Sequence, residues 1–151
     1  MIQRARILLL TVFASLLALT AHAEISDIDN AEVLRLQAAG VQVIDVRTAG
    51  EWQASGILPG SHLITLFDEQ GRSDTPAWLE KVKGVVKPEQ PVIVVCRSGN
   101  RSKVAAQLLT QQGGYGKVYN VRQGVRGWIA EQRPLAPAAS AVAACPAGTR
   151  C

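Results

Sequence analysis

Histidine, cysteine and long apolar runs are all scarce in this 151-residue chain, and each scarcity removes a class of protein. The two histidines, His22 and His62, have no second histidine or cysteine close by, so the ligand clusters of zinc enzymes are missing and no metal site is expected. No Gly-x-Ser-x-Gly elbow occurs, which excludes a common serine-hydrolase arrangement. No segment repeats at solenoid spacing. Three cysteines are too few for a disulfide scaffold, and a chain of this size buries enough core to fold without one. The formal net charge of +4 is too slight an excess to argue for nucleic acid or anionic lipid as partner. No cofactor is expected either.

What is present begins with a leader. Arg4 and Arg6 form a short basic segment, residues 7–21 are apolar, and Ala21-His22-Ala23 places small residues where a signal peptidase reads them. The apolar run is about fifteen residues, short of the roughly 20 that cross a bilayer as a helix. Residues 1–23 are therefore read as a cleaved signal peptide, with an uncleaved anchor as the alternative. Cleavage removes Arg4 and Arg6 and no acid, lowering the formal charge from +4 to +2. The mature protein is expected to be exported, periplasmic if the source is a Gram-negative bacterium, with no stable membrane association. In that oxidising setting Cys145 and Cys151, in the tail, form the natural disulfide pair and leave Cys96 free. A tethered dithiol that relays sulfur from Cys96, or reduces it, is the sharper alternative.

Residues 24–134 alternate strand and helix signals, the pattern of an α/β domain with a largely parallel sheet. Asp29 with Glu32 resembles a helix-start box, and Gly40 stops that helix. Residues 41–46 and 91–95 are β-branched runs, and residues 61–66 and 118–121 read as further strands. Thr48 with Glu51 is a second capping box, opening a short helix that carries Trp52. Thr75-Pro76 is read as an N-cap with proline in the first turn, followed by Trp78, Leu79 and Val82 on one face. A helix is expected over 102–112, with Val104, Ala105, Leu108 and Leu109 apolar, and a short one around Trp128. Residues 135–151, rich in alanine and proline, read as a flexible tail.

The chemistry concentrates in Cys96-Arg97-Ser98-Gly99-Asn100-Arg101-Ser102. Cys96 follows a buried strand and precedes a helix, at the carboxyl end of the sheet, where such folds place ligands. Gly99 permits positive φ, so successive amides can form an anion-binding nest. The following helix adds its unpaired N–H groups, and Arg97 and Arg101 add charge. All three features favour a nucleophilic thiolate over a thiol. An inert cysteine ending a core strand is the bland alternative, and the charged, glycine-containing residues that follow make a poor apolar wall. Asp45 and Arg47 are read as supporting residues, the acid capping a turn and the arginine pairing with it or with Glu51. Arg122 and Arg126 are solvated, or Arg126 rims the site.

These residues resemble the rhodanese family over residues 29–134. The Cys96 loop is the strongest match. Asp45-Val46-Arg47 with Glu51-Trp52 resembles the family's first-strand signature. Gly56-Ile57-Leu58-Pro59-Gly60 resembles its Gly-His-Ile-Pro-Gly segment, and Gly124-Val125-Arg126-Gly127-Trp128 its closing Gly-Gly-x-x-Gly-Trp element. The histidine of the one and the first glycine of the other, here Gln123, are absent. The resemblance implies a three-layer fold with a small, mostly parallel five-stranded sheet flanked by helices. It also implies a sulfurtransferase that carries sulfur as a Cys96 persulfide, from a thiosulfate-like donor to cyanide or a thiol. Cys96 would then be catalytic, with Arg97, Ser98, Gly99, Asn100, Arg101 and Ser102 cradling the sulfur and the donor. Partners would be small sulfur-containing anions and thiol acceptors. The rivals are a Cys-dependent phosphatase or arsenate reductase, whose loops carry their arginine one position later, and a non-catalytic binding module on the same scaffold.

Overall fold

The computed structural model describes residues 23–141, so residues 1–22, which carry most of the expected leader, and the Cys145–Cys151 pair lie outside the described residues. Five parallel strands run in the order β1-β5-β4-β2-β3, with ranges Glu24–Ile28, Lys117–Val121, Val92–Val95, Gln42–Asp45 and Ser61–Leu63. The helices are α1 (Asn30–Ala38), α2 (Ala49–Ser55), α3 (Thr75–Lys83), α4 (Asn100–Gln111) and α5 (Gly124–Ala130).

Strand β4 shows why the sheet sits where it does. All four of its residues are buried, and their alternation sends them into two separate cores. Val92 and Val94 join Trp78, Leu79, Val82, Ala105 and Leu109 under α3 and α4. Ile93 and Val95 join Val33, Leu36, Val125 and Trp128 under α1 and α5. A centre strand buried on both faces makes a three-layer α/β/α domain, and its carboxyl end delivers Cys96.

Several local expectations shift. Strand β1 was not legible: Glu-Ile-Ser-Asp-Ile carries two acids and only Ile28 reaches the core. Polar cross-strand pairs hold it on β5, with Lys117 Nζ 3.1 Å from Glu24 Oε2 and Asn120 Nδ2 donating to Asp27 Oδ1 at 2.8 Å. The expected strand over 61–66 is regular only to Leu63. Helix α3 is capped by Asp74, whose side chain accepts from Ala77 N, and Thr75 is its first helical residue. Val104 and Leu34, placed on apolar faces, are 40% and 45% exposed.

Residues 135–141 are not the free tail that their composition suggested. Ile57 and Ala136 exchange two backbone hydrogen bonds of 2.9 Å, and Leu135 packs against the core beside α5. Composition reports on side-chain burial, whereas this segment is held through its backbone. The same contact explains the missing histidine: Ile57 and Leu58 are fully buried, so that segment plugs the core. His62 lies on β3, bonded through Nε2 to Gln42 Oε1 at 2.9 Å, and burial pushes its pKa down.

Candidate active site

The Cys96 loop is a turn wrapped around one sulfur. The chain leaves β4 at Cys96, reaches Gly99 at φ +93° and enters α4 at Asn100, two residues earlier than expected. Only a glycine fits there, because a Cβ at Gly99 would be driven into the Arg122 carbonyl oxygen. This turn brings the Gly99 N–H to 3.1 Å from Cys96 Sγ. Ser102, fully buried one turn into α4, donates its hydroxyl to the same sulfur at 3.3 Å. Cys96 is 1% exposed and its neighbours include core residues, yet its sulfur faces two polar donors at the head of a twelve-residue helix.

Helix α5 holds the loop from behind. Val125 N donates to Cys96 O at 2.9 Å, and Arg126 N to Arg97 O at 3.0 Å. The approach is so close that a Cβ on Gly124, at φ +56°, would overlap the Cys96 carbonyl. Gln123 has φ −101°, which any residue adopts, so the paired glycine missing from the closing element is not needed here. The Gln123 side chain instead covers Gly127, where an added Cβ would meet the Gln123 Cβ at 2.5 Å.

Of the expected site residues, Cys96, Gly99 and Ser102 come together around the sulfur. Arg97, Ser98 and Asn100 are exposed on the loop's outer side. Arg101 turns to Glu51 on α2, with hydrogen bonds of 2.8 and 2.5 Å. Those bonds hold the Glu51 carboxyl down to about 2, against its own partial burial and with help from the Thr48 amide. Asp45 and Arg47 form a separate ion pair of 2.7 Å beneath α2. The Thr48–Glu51 capping box forms as expected, but the second task of Glu51, anchoring Arg101 across fifty residues of chain, has no local signature. The role of α5 was also missed, although Val125 and Ile129 at i, i+4 mark one of its faces.

A cleft of about 340 Å³ opens between α2, the loop and α5, lined by Arg47, Glu51, Ala54, Ser55, Arg97, Val125, Arg126 and Ile129. Among the described residues, no group of three or more His, Cys, Asp or Glu could hold a metal ion, and no helix is long and apolar enough to cross a membrane.

A parallel α/β sheet carrying a cysteine loop between a buried strand and a helix defines a class of cysteine-centred domains. Within it, the rhodanese-like domain model matches residues 29–131, and the chain belongs to that family. Thiosulfate sulfurtransferase 18 of Arabidopsis thaliana is 31% identical over 116 residues, covering 74% of this chain and 84% of that protein. The crystal structure of a thiosulfate sulfurtransferase from Pseudomonas aeruginosa superposes with a TM-score of 0.60 at 25% identity, over 74% of this chain and 20% of that longer one. The crystal structure of Rv0390 from M. tuberculosis gives a TM-score of 0.64 over 76% of this chain and 98% of that one; at 24% identity it speaks for the fold alone.

Proposed function

We propose that the protein is a thiosulfate sulfurtransferase that carries sulfane sulfur as a Cys96 persulfide. The observation that carries this reading is the pair of donors, Gly99 N–H and Ser102 O–H, both directed at Cys96 Sγ. Donors converging on a sulfur suit one that attacks as an anion and then bears a second, anionic sulfur. In the first half-reaction Cys96 attacks the outer sulfur of thiosulfate. The new S–S bond forms on the cysteine, the old one breaks, and its electron pair leaves with sulfite. In the second, cyanide or a thiolate takes the terminal sulfur and the cysteine sulfur regains its electron pair. Arg97, Ser98, Asn100 and Arg101 ring the loop, the first three meeting the incoming anion and Arg101 fixing the loop through Glu51. Export through a leader at residues 1–23 belongs to the same proposal.

The phosphatase alternative would need an arginine free to clamp a tetrahedral dianion. Here Arg101 comes one position early and is committed to Glu51, which supports transfer of a single sulfur. Intact mass spectrometry after incubation with thiosulfate is the direct test. One added sulfur is expected on the wild type, removed by cyanide and absent from Cys96→Ser. Aryl-phosphate turnover that disappears in Cys96→Ser, with no sulfur added, would reverse the assignment. The same spectra report whether residues 1–23 are removed and whether Cys145 and Cys151 are joined.

A further inference from the structure

The cleft beside the Cys96 loop has two kinds of wall, and thiosulfate would use one of them. Arg97 and Arg126 are exposed on it, and neither forms an ion pair among the described residues. The other two arginines of this region are neutralised, Arg47 by Asp45 and Arg101 by Glu51. The cleft's one acid, Glu51, is therefore already spent on an arginine outside the cleft lining. What faces solvent is a pair of uncompensated guanidinium groups, a site for an anion.

The second wall is apolar. Val125 lines the cleft floor, Ile129 stands one helical turn further along α5, and Ala54 faces them from α2. At 47% Ile129 is the most exposed large apolar side chain among the described residues. A lone exposed isoleucine on a convex surface needs no explanation. This one lines a concavity, on the same helix as Arg126, whose amide bonds the Arg97 carbonyl. A small inorganic anion leaves that wall wet. At about 340 Å³ the cleft is of a size that holds small organic ligands.

We infer that Arg126 and Ile129 form a specificity-determining subsite that takes an organic sulfur anion, its charge between Arg97 and Arg126 and its apolar body on Ile129 and Val125. This rests on the sulfurtransferase reading for its chemistry, though not for its binding. The donor class that fits is an organic thiosulfonate, R–SO2–S⁻. Cys96 attacks its outer sulfur, an S–S bond forms on the cysteine, the bond to the sulfonyl sulfur breaks, and the electron pair departs with the sulfinate R–SO2⁻. One thiolate and one thiosulfonate become one persulfide and one sulfinate, so charge and electrons balance without a further reactant.

Two measurements on the full chain test this. The first involves no chemistry: benzenesulfonate and sulfate, both inert, are titrated and followed by nuclear magnetic resonance. Wild type is expected to bind benzenesulfonate about tenfold more tightly than sulfate, the effect of covering roughly 50 Å² of apolar surface. Ile129→Ser should collapse that ratio towards one, Arg126→Ala should weaken both anions, and Ala54→Asp, on the facing wall, should repel both. The second compares kcat/KM for benzenethiosulfonate and thiosulfate, with the ratio falling about fivefold to tenfold in Ile129→Ser. No aryl preference in the wild type, or the same preference in Ile129→Ser, overturns the subsite and leaves persulfide formation from thiosulfate intact. An aryl preference in binding with no persulfide from either donor sinks the sulfurtransferase reading and leaves an organic-anion site.

Discussion

Two arginine–carboxylate pairs flank α2, and they differ in nearly everything except composition. Arg47 and Asp45 are 2% and 0% exposed, and all five guanidinium N–H groups have acceptors. Nε bonds both Asp45 oxygens at 2.9 and 3.0 Å, Nη2 bonds Asp45 at 2.7 Å and Gly56 O at 2.8 Å, and Nη1 bonds Ser55 Oγ at 2.7 Å and Glu51 O at 3.5 Å. Arg47 thus ties the end of β2 to the far end of α2 and has no donor left for a substrate. Arg101 and Glu51 stay 30% and 27% exposed, and they join two helices, α2 and α4, that no sheet hydrogen bond connects. The first pair is scaffold, fixed by burial and saturation. The second lies on the rim and sets where the Cys96 loop sits relative to α2.

The sharpest way to break this contrast is to halve each pair. Arg47→Met strands a buried carboxylate, and a loss of about 3–5 kcal/mol is expected in urea unfolding. Asp45→Ala should cost a similar amount by stranding the guanidinium, and the double variant should cost less than the sum of the two. Glu51→Gln should cost only about 1 kcal/mol, because a pair near one-third exposed is discounted from the value of a charged hydrogen bond by solvent. Its larger effect should be on chemistry, with persulfide formation slowed about tenfold as Arg101 and the loop lose their anchor. Equal stability losses in the two pairs would show that the distinction between scaffold and rim is false.

The contrast also marks where sequence reading stops. Asp45-Val46-Arg47 and the Thr48–Glu51 box are local, so spacing alone exposes them. Gly99 was legible for the same reason: a short polar turn between strand and helix needs one residue at positive φ. The Glu51–Arg101 pair joins residues that become neighbours only when α2 and α4 are both in place. The cleft wall on α5 was half visible, in the i, i+4 spacing of Val125 and Ile129, but its nearness to Arg97 depends on the bond from Arg126 N to Arg97 O. Strand β1 and the Ile57–Ala136 pairing escaped for another reason. Both are held mainly by backbone and polar contacts, which leave little apolar periodicity to read.

The smallest expected effect separates the pairs by pH. Glu51 is held at about 2 in the fold, against 4.5 for a free carboxyl, so the unfolded chain takes up its proton first as acid is added. Its contribution is therefore complete above about pH 5 and is lost as the pH falls towards 2. His62 acts in a different window: burial pushes its folded pKa below 6.5, so the unfolded chain protonates first there and stability drifts down as the pH drops past that value. That drift is common to wild type and Glu51→Gln and cancels in their difference. The stability gap between the two proteins should be flat from about pH 8 to pH 5 and close between about pH 4.5 and pH 2. A gap already closing near pH 6 would mean that Glu51 is not held by Arg101 in solution, and the loop's position would then need another anchor.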